Sequence, residues 1–150
     1  MSKVYALSGV RAAYLCGSPH LLETLKSLTP PWAVSLPAQA AAIAALNDPS
    51  YYQEQYTQTH ALRARLKQAL LALGITDIVD GVANFLLIYL PDHVQKDPFL
   101  AACQRYGLYL RDASSMGKPI GPKAIRIAVK DDATMRKMVS ILEKVLRMER

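Results

Sequence analysis

The stretch VANFLLIYL, residues 82–90, decides the fold of this chain. It is apolar apart from Asn84, it carries branched and aromatic side chains, and Pro91 ends it, all of which is typical of a buried strand. This half also contains two strand-sized apolar runs, residues 108–111 and 125–129. It contains two helical patterns as well, residues 99–106 and a last helix capped by Asp131 or Asp132. This order of elements predicts an α+β domain, in which helices cover a small antiparallel sheet on one face.

Toward the amino terminus the patterns become helical. Residues 50–73 predict a long helix that Gly74 ends, because glycine readily adopts the left-handed conformation found at helix ends. Shorter helices are predicted over residues 20–28 and after an N-cap at Ser35. Residues 12–16, AAYLC, predict a short buried strand ended by Gly17. We therefore expect two parts: residues 1–48, and residues 49–150 with the long helix included.

Composition restricts the function only weakly. The net charge is +6, and half of the residues (51%) are hydrophobic, which is enough for a core. A basic nucleic-acid binder is a possible class on net charge alone, but the cations are not clustered and no aromatic platform accompanies them. No apolar run has the length of a membrane helix. The two cysteines and three histidines lack metal-ligand spacing, so we expect no metal site and reduced, buried thiols in the cytoplasm.

The first eleven residues, MSKVYALSGVR, combine three groups that suit an anionic aldehyde cofactor. Lys3 has an amine that can condense with an aldehyde, and Ser2 and Arg11 have a hydroxyl and a guanidinium that can bind phosphate. On this chemistry alone, ordinary surface charges remain the better interpretation.

The longer string SKVYALSGVRAAYLCG (2–17) resembles the lysine motif of class I and II aminotransferases, the fold type I enzymes that use pyridoxal 5'-phosphate (PLP). It is most similar to histidinol-phosphate aminotransferases and threonine-phosphate decarboxylases. The resemblance implies that Lys3 holds PLP covalently and that Ser2 and Arg11 bind its phosphate. Ala13 departs from the glycine usual in the family.

Four later phrases resemble the same family in the same order: residues 30–46, 82–90, 105–117 and 124–129. The resemblance implies a carboxy-terminal small domain preceded by a remnant of the PLP-binding large domain. It also implies substrate-binding roles for Arg126, which would hold the α-carboxylate, and for Arg111 and Asn84.

The expected parent is therefore a cytoplasmic, homodimeric PLP enzyme. It would transfer an amino group between an amino acid, or an amino-phosphate, and a 2-oxo acid, with Lys3 moving the α-proton. We expect the chain to be a piece of that parent and inactive alone, because the family's phosphate cradle and ring partner precede the lysine. Two alternatives stay open: a PLP-dependent decarboxylase of a phosphorylated amino acid, and a non-catalytic small-domain module.

Overall fold

The computed structural model describes residues 1–117 and 120–148. The chain divides into two compact units, Met1–Gln55 and the residues from Tyr56 onward. This division falls inside the long helix. The domain boundary expected between residues 48 and 49 stays a prediction.

The first unit is helical. It contains α1 (Pro19–Leu28), α2 (Leu36–Leu46) and the beginning of α3 (Pro49–Ala72). The Ser18 hydroxyl caps α1 by accepting a hydrogen bond from the Leu21 amide, and Ser35 stands at the N-cap position of α2. The predicted helices over 20–28 and after Ser35 are confirmed.

The strand predicted over residues 12–16 is wrong. These residues have no regular structure, and Tyr14 and Leu15 are 72% and 66% exposed. A strand is stable only when a neighbouring strand accepts and donates its backbone hydrogen bonds, and this unit has none. For the same reason Cys16, expected to be buried, is exposed.

Helix α3 confirms the long helix predicted over residues 50–73. It ends at a Schellman motif, in which the Ile75 amide donates to the Leu70 carbonyl (3.1 Å) and the Gly74 amide donates to the Leu71 carbonyl (3.0 Å). Gly74 has φ +88°, a conformation that is strained for any residue with a Cβ. This glycine therefore sets where the helix stops.

The second unit is built on a four-stranded antiparallel sheet of order β1-β2-β4-β3. The strands are β1 (Ile78–Val79), β2 (Phe85–Tyr89), β3 (Arg111–Asp112) and β4 (Ala124–Ala128). The sequence did not indicate β1, which is only two residues long. Strand β3 shares only Arg111 with the strand predicted over residues 108–111, so that prediction is wrong for residues 108–110. Leu108 lies outside the strand because its amide donates to the Cys103 carbonyl (3.0 Å) and so closes the preceding helix.

Helices α4 (Lys96–Arg105) and α5 (Asp132–Met148) pack with α3 on one face of this sheet. That face is fully buried and consists of Leu86, Ile88, Ile125 and Ile127. Burial of each such side chain contributes about 1.5–3 kcal/mol to folding. The α+β architecture with helices on one face is therefore confirmed, and the other face of the sheet is left half-buried.

Candidate functional site

The residues predicted to bind cofactor and substrate fall in different units, and each group is considered by itself. Ser2, Lys3 and Arg11 belong to the first unit, and Asn84, Arg111 and Arg126 belong to the second.

Lys3 lies in a tight turn. The Tyr5 amide donates to the Met1 carbonyl (3.1 Å), and the Ala6 amide donates to the Lys3 carbonyl (3.3 Å). Tyr5 packs edge-on against Tyr52 with ring centroids 4.8 Å apart, which fixes this turn on α3. The Lys3 side chain is exposed, and within the described residues no carboxylate forms an ion pair with its ammonium group.

Arg11 has its side chain folded back on its own loop. Its guanidinium donates to the Ser8 carbonyl (3.2 Å), and its backbone has φ +59°, which is uncommon for a residue with a side chain. An arginine has five N–H donors, so most remain available. In the part of the chain that the structure describes, no hydrogen bond joins Ser2, Lys3 and Arg11. These residues are neighbours in sequence but do not form an assembled phosphate site here.

Arg111 and Arg126 stand directly opposite each other on strands β3 and β4. Because side chains in register on paired strands point to the same face, the two guanidinium groups share the half-buried face of the sheet. The guanidinium carbon of Arg126 lies 4.6 Å from the ring centroid of Phe85 on β2. The cation is therefore held by a cation–π contact.

No acidic side chain among the described residues forms an ion pair with Arg111 or Arg126. Like charges directly opposite on paired strands are destabilising. Such a pair is favourable when an anion lies between the two guanidinium groups, because each can donate parallel hydrogen bonds to a carboxylate or phosphate. The pair of Arg111 and Arg126 is therefore a candidate anion site.

Asn84 lies in the bend just before β2. Its backbone carbonyl accepts a hydrogen bond from the Val129 amide (2.9 Å), which continues the pairing of β2 with β4 by one residue. Asn84 is adjacent in sequence to Phe85, but in the described structure no hydrogen bond joins its amide group to either arginine. Its predicted role in substrate binding stays a prediction.

A polar network that sequence reasoning missed holds β3 in position. The Lys96 ammonium donates to Asp112 Oδ2 (2.7 Å) and to Ser114 Oγ (3.1 Å), and the Ser114 hydroxyl donates to Asp112 Oδ1 (2.6 Å). The pKa of Asp112 is lowered from 3.8 to about 2, first by the hydrogen bond from Lys96 and then by those from the Ser114 hydroxyl and the Ser114 backbone amide. The network fixes the residue next to Arg111. No sequence motif could reveal it, because Lys96 precedes Asp112 by 16 residues.

Residues 1–117 and 120–148 offer neither a cluster of metal ligands nor a membrane-spanning helix. In this part of the chain no group of three or more His, Cys, Asp or Glu side chains could hold a metal ion. None of the helices described there is both long and apolar enough to cross a bilayer.

Comparison with known proteins identifies the relatives of this chain. Residues 1–142 match the aminotransferase class I and II family. The histidinol-phosphate aminotransferase of Rhodopseudomonas palustris (strain BisB5) is 31% identical over an alignment 136 residues long, which covers 87% of this chain and 35% of that protein. Histidinol-phosphate aminotransferase 1 of Nitrosococcus oceani is 31% identical over 97% of this chain and 38% of its own length. The chain thus spans little more than a third of these curated relatives.

Solved structures agree with this result. The histidinol-phosphate aminotransferase of Clostridium acetobutylicum superposes with a TM-score of 0.88 at 22% identity, over 97% of this chain and 43% of that one. The Sinorhizobium meliloti enzyme of the same name, solved in complex with PLP, superposes with a TM-score of 0.87 at 25% identity, over 98% and 39%. PLP is the cofactor of the parent enzymes. By its match over residues 1–142, this chain belongs to the class I and II aminotransferase family.

Proposed function

We propose that this chain supplies the cofactor lysine and the substrate-carboxylate arginine of a PLP-dependent aminotransferase. The complete enzyme transfers an amino group between an amino acid, or an amino-phosphate, and a 2-oxo acid. The observation that carries the proposal is the cross-strand pair of Arg111 and Arg126, which face each other without an acidic partner among the described residues.

Arg126 is the group best placed to orient a substrate. Its stack on Phe85 restricts the guanidinium, so less conformational entropy is lost when a carboxylate binds. Arg111 on the neighbouring strand adds a second cation for the anionic end of the substrate. A hydrogen bond between charged partners contributes about 1.5–3 kcal/mol, enough to fix the substrate by its carboxylate. Asn84, one residue from Phe85, is proposed as a further contact.

The donor set around Lys3 suits the two reactive ends of PLP. An exposed amine can meet the aldehyde, and the Ser2 hydroxyl and the remaining Arg11 N–H groups can bind the phosphate. When bound, PLP supplies an electron sink for the carbon next to the substrate amine. In our proposal Lys3 holds the cofactor before the reaction and then carries the α-proton as general acid and base.

The isolated chain is proposed to be inactive. Ser2, Lys3 and Arg11 are not joined by hydrogen bonds in the described structure, and a site held loosely binds its ligand weakly. The homodimer and the cytoplasmic location are proposed for the complete parent. The unpaired state of Cys16 and Cys103 is compatible with a reducing compartment.

A hybrid enzyme tests the proposal. This chain replaces the matching part of the Sinorhizobium meliloti enzyme, and purified hybrid is assayed for PLP absorbance and amino transfer from histidinol phosphate to 2-oxoglutarate. We expect Lys3→Ala to abolish both covalent PLP retention and transfer, whereas Lys26→Ala, an exposed lysine of the same unit, leaves both unchanged. Arg126→Leu should retain PLP but raise the KM for 2-oxoglutarate, the substrate in this assay that carries an α-carboxylate, about 10- to 100-fold.

Two outcomes would contradict the proposal. The role proposed for Lys3 is wrong if a folded hybrid holds PLP through another lysine. Borohydride reduction followed by mass spectrometry identifies the lysine that is bound. An unchanged KM for 2-oxoglutarate in Arg126→Leu would mean that Arg126 does not bind the substrate carboxylate. The decarboxylase alternative remains a separate prediction, and release of carbon dioxide from threonine phosphate by the hybrid would favour it.

A further inference from the structure

The segment that leads into β2, residues 80–84, has little internal support, and we call it the 80–84 loop. In the described part of the chain, no backbone–backbone hydrogen bond involves residues 80–83. Val82 is 86% exposed, and a Cβ added at Gly81 would have no neighbour within 4 Å. The course of this loop therefore depends on contacts that come from other elements.

Two cations of α3 supply such contacts. The Arg63 guanidinium donates to the Ala83 carbonyl (3.3 Å), and the Lys67 ammonium donates to Asp80 Oδ2 (2.6 Å). Because the two cations are four positions apart, they lie one turn apart on the same face of the helix and contact the two ends of the loop. A cavity of about 280 Å³ is lined by this face of α3 and by Asp80, so the loop is not packed tightly against the helix there.

The contact of Arg63 is the stronger of the two. It is half-buried, whereas the pair of Lys67 and Asp80 lies at the surface, with 65% of the Asp80 side chain exposed. Exposed ion pairs contribute little, because water and salt screen them. A hydrogen bond from a charged donor to a carbonyl that is partly shielded from water contributes more. Arg63 is therefore the residue that fixes the end of the loop next to β2.

That end of the loop carries proposed substrate contacts. Asn84 follows Ala83 directly, and its carbonyl accepts a hydrogen bond from the Val129 amide (2.9 Å). Phe85 is the first residue of β2, and its ring centroid lies 4.6 Å from the guanidinium carbon of Arg126. Because the ends of an element open more easily than its middle, the contact at Ala83 keeps in place the ring against which the guanidinium lies.

We propose that Arg63 is a positioning residue for substrate binding. Through its bond to the Ala83 carbonyl it keeps the Phe85 ring in contact with Arg126, the residue that orients the substrate carboxylate. This role rests on the proposed aminotransferase function, because Arg63 acts through the carboxylate contact and is not itself that contact. Lys67 adds a weaker hold at the other end of the loop.

The hybrid enzyme that tests the proposed function also tests this role. Arg63→Met should raise the KM for 2-oxoglutarate about tenfold and leave kcat within about twofold, because the carboxylate contact is loosened while Lys3 is unchanged. Arg63→Lys keeps a charged donor, so its KM should return to within about threefold of the unaltered hybrid. Arg65→Met is the matched control, since this exposed arginine of α3 pairs with Asp132 instead of the loop, and its KM should stay within about twofold.

Hydrogen exchange in the 150-residue chain provides a measurement that does not depend on activity. In Arg63→Met the Val129 amide, which is bonded to the Asn84 carbonyl, should exchange about tenfold faster. The Leu142 amide, in the middle of α5, should exchange at an unchanged rate. A general loss of stability would instead accelerate both amides and would lower the amount of active enzyme without changing the KM.

The proposal is overturned if Arg63→Met leaves the KM for 2-oxoglutarate unchanged in a hybrid in which Arg126→Leu raises it. It is also overturned if Val129 exchanges no faster in Arg63→Met than in Arg65→Met, a result that needs no active hybrid. An unchanged KM in Arg126→Leu itself contradicts the proposed function, and the positioning role with it, so the two failures are distinguishable.

Discussion

Replacing Arg111 by glutamine should stabilise the second unit when no anion is bound. Arg111 and Arg126 stand in register on β3 and β4, and no described acidic residue neutralises either one. Removing one charge therefore removes a repulsion. The change leaves the stack of Arg126 on Phe85 in place, and glutamine keeps much of the length of the side chain.

The size of the effect follows from the register. Residues directly opposite on antiparallel strands have Cα atoms about 5.5 Å apart, and long side chains can separate their charges to about 7 Å. Two unit charges at that distance in water repel by about 0.6 kcal/mol. For a unit of this size that energy corresponds to an increase in Tm of about 3 °C.

The assay is thermal unfolding followed by circular dichroism in low-salt buffer and again in about 0.5 M sodium chloride, where the Debye length falls to about 4 Å. The difference in Tm between Arg111→Gln and the unaltered chain should disappear at high salt. Millimolar phosphate should raise the Tm of the unaltered chain but raise that of the variant less, since one half of the anion site is gone.

Arg136→Gln provides the control, because it removes an exposed arginine that pairs with Asp132 one helical turn away. It should lower stability slightly, by no more than about 0.5 kcal/mol. The reasoning is refuted if Arg111→Gln lowers the Tm in low salt, or if its effect does not depend on salt. Either result would mean that Arg111 contributes through packing rather than through repulsion.

Three further predictions concern the second unit and the two cysteines. Leu142→Ala, in the fully buried core, should lower the free energy of unfolding by about 3 kcal/mol in urea titrations, and a loss below about 1 kcal/mol would contradict the burial. In the folded state the hydrogen bond from Lys96 lowers the pKa of Asp112 to about 2. The stability that this carboxylate contributes to the fold is therefore present above about pH 4 and is lost as the pH falls toward 2. Asp112→Asn should therefore be less stable than the unaltered chain at pH 7 and lose less stability on acidification, and parallel pH profiles would argue against this. Burial raises the pKa of the Cys103 thiol to about 11, so a thiol reagent at pH 8 should modify the exposed Cys16 at least about a hundredfold faster, and equal rates would be inconsistent with the fold.

The parts of the fold that depend on local sequence were predictable. The end of the helix predicted over 50–73 was indicated by Gly74, which can adopt the positive φ of a helix end. Strands β2 and β4 were predicted from runs of branched apolar residues. The family was recognised from short motifs, and its match over residues 1–142 confirms that recognition. The strand predicted over residues 12–16 was wrong because an apolar pattern is a local property, whereas a strand also needs a neighbouring strand for its backbone hydrogen bonds.

Residue identity and short-range order thus settle which helices form, which runs can become strands, and to which family the chain belongs. They do not settle register, because pairing joins residues far apart in sequence and a shift of one position would exchange the two faces of a strand. Only the folded sheet sets Arg111 opposite Arg126 and brings Lys96 to Asp112. These contacts depend on where the chain returns in space, which the packing of the buried face against its helices decides.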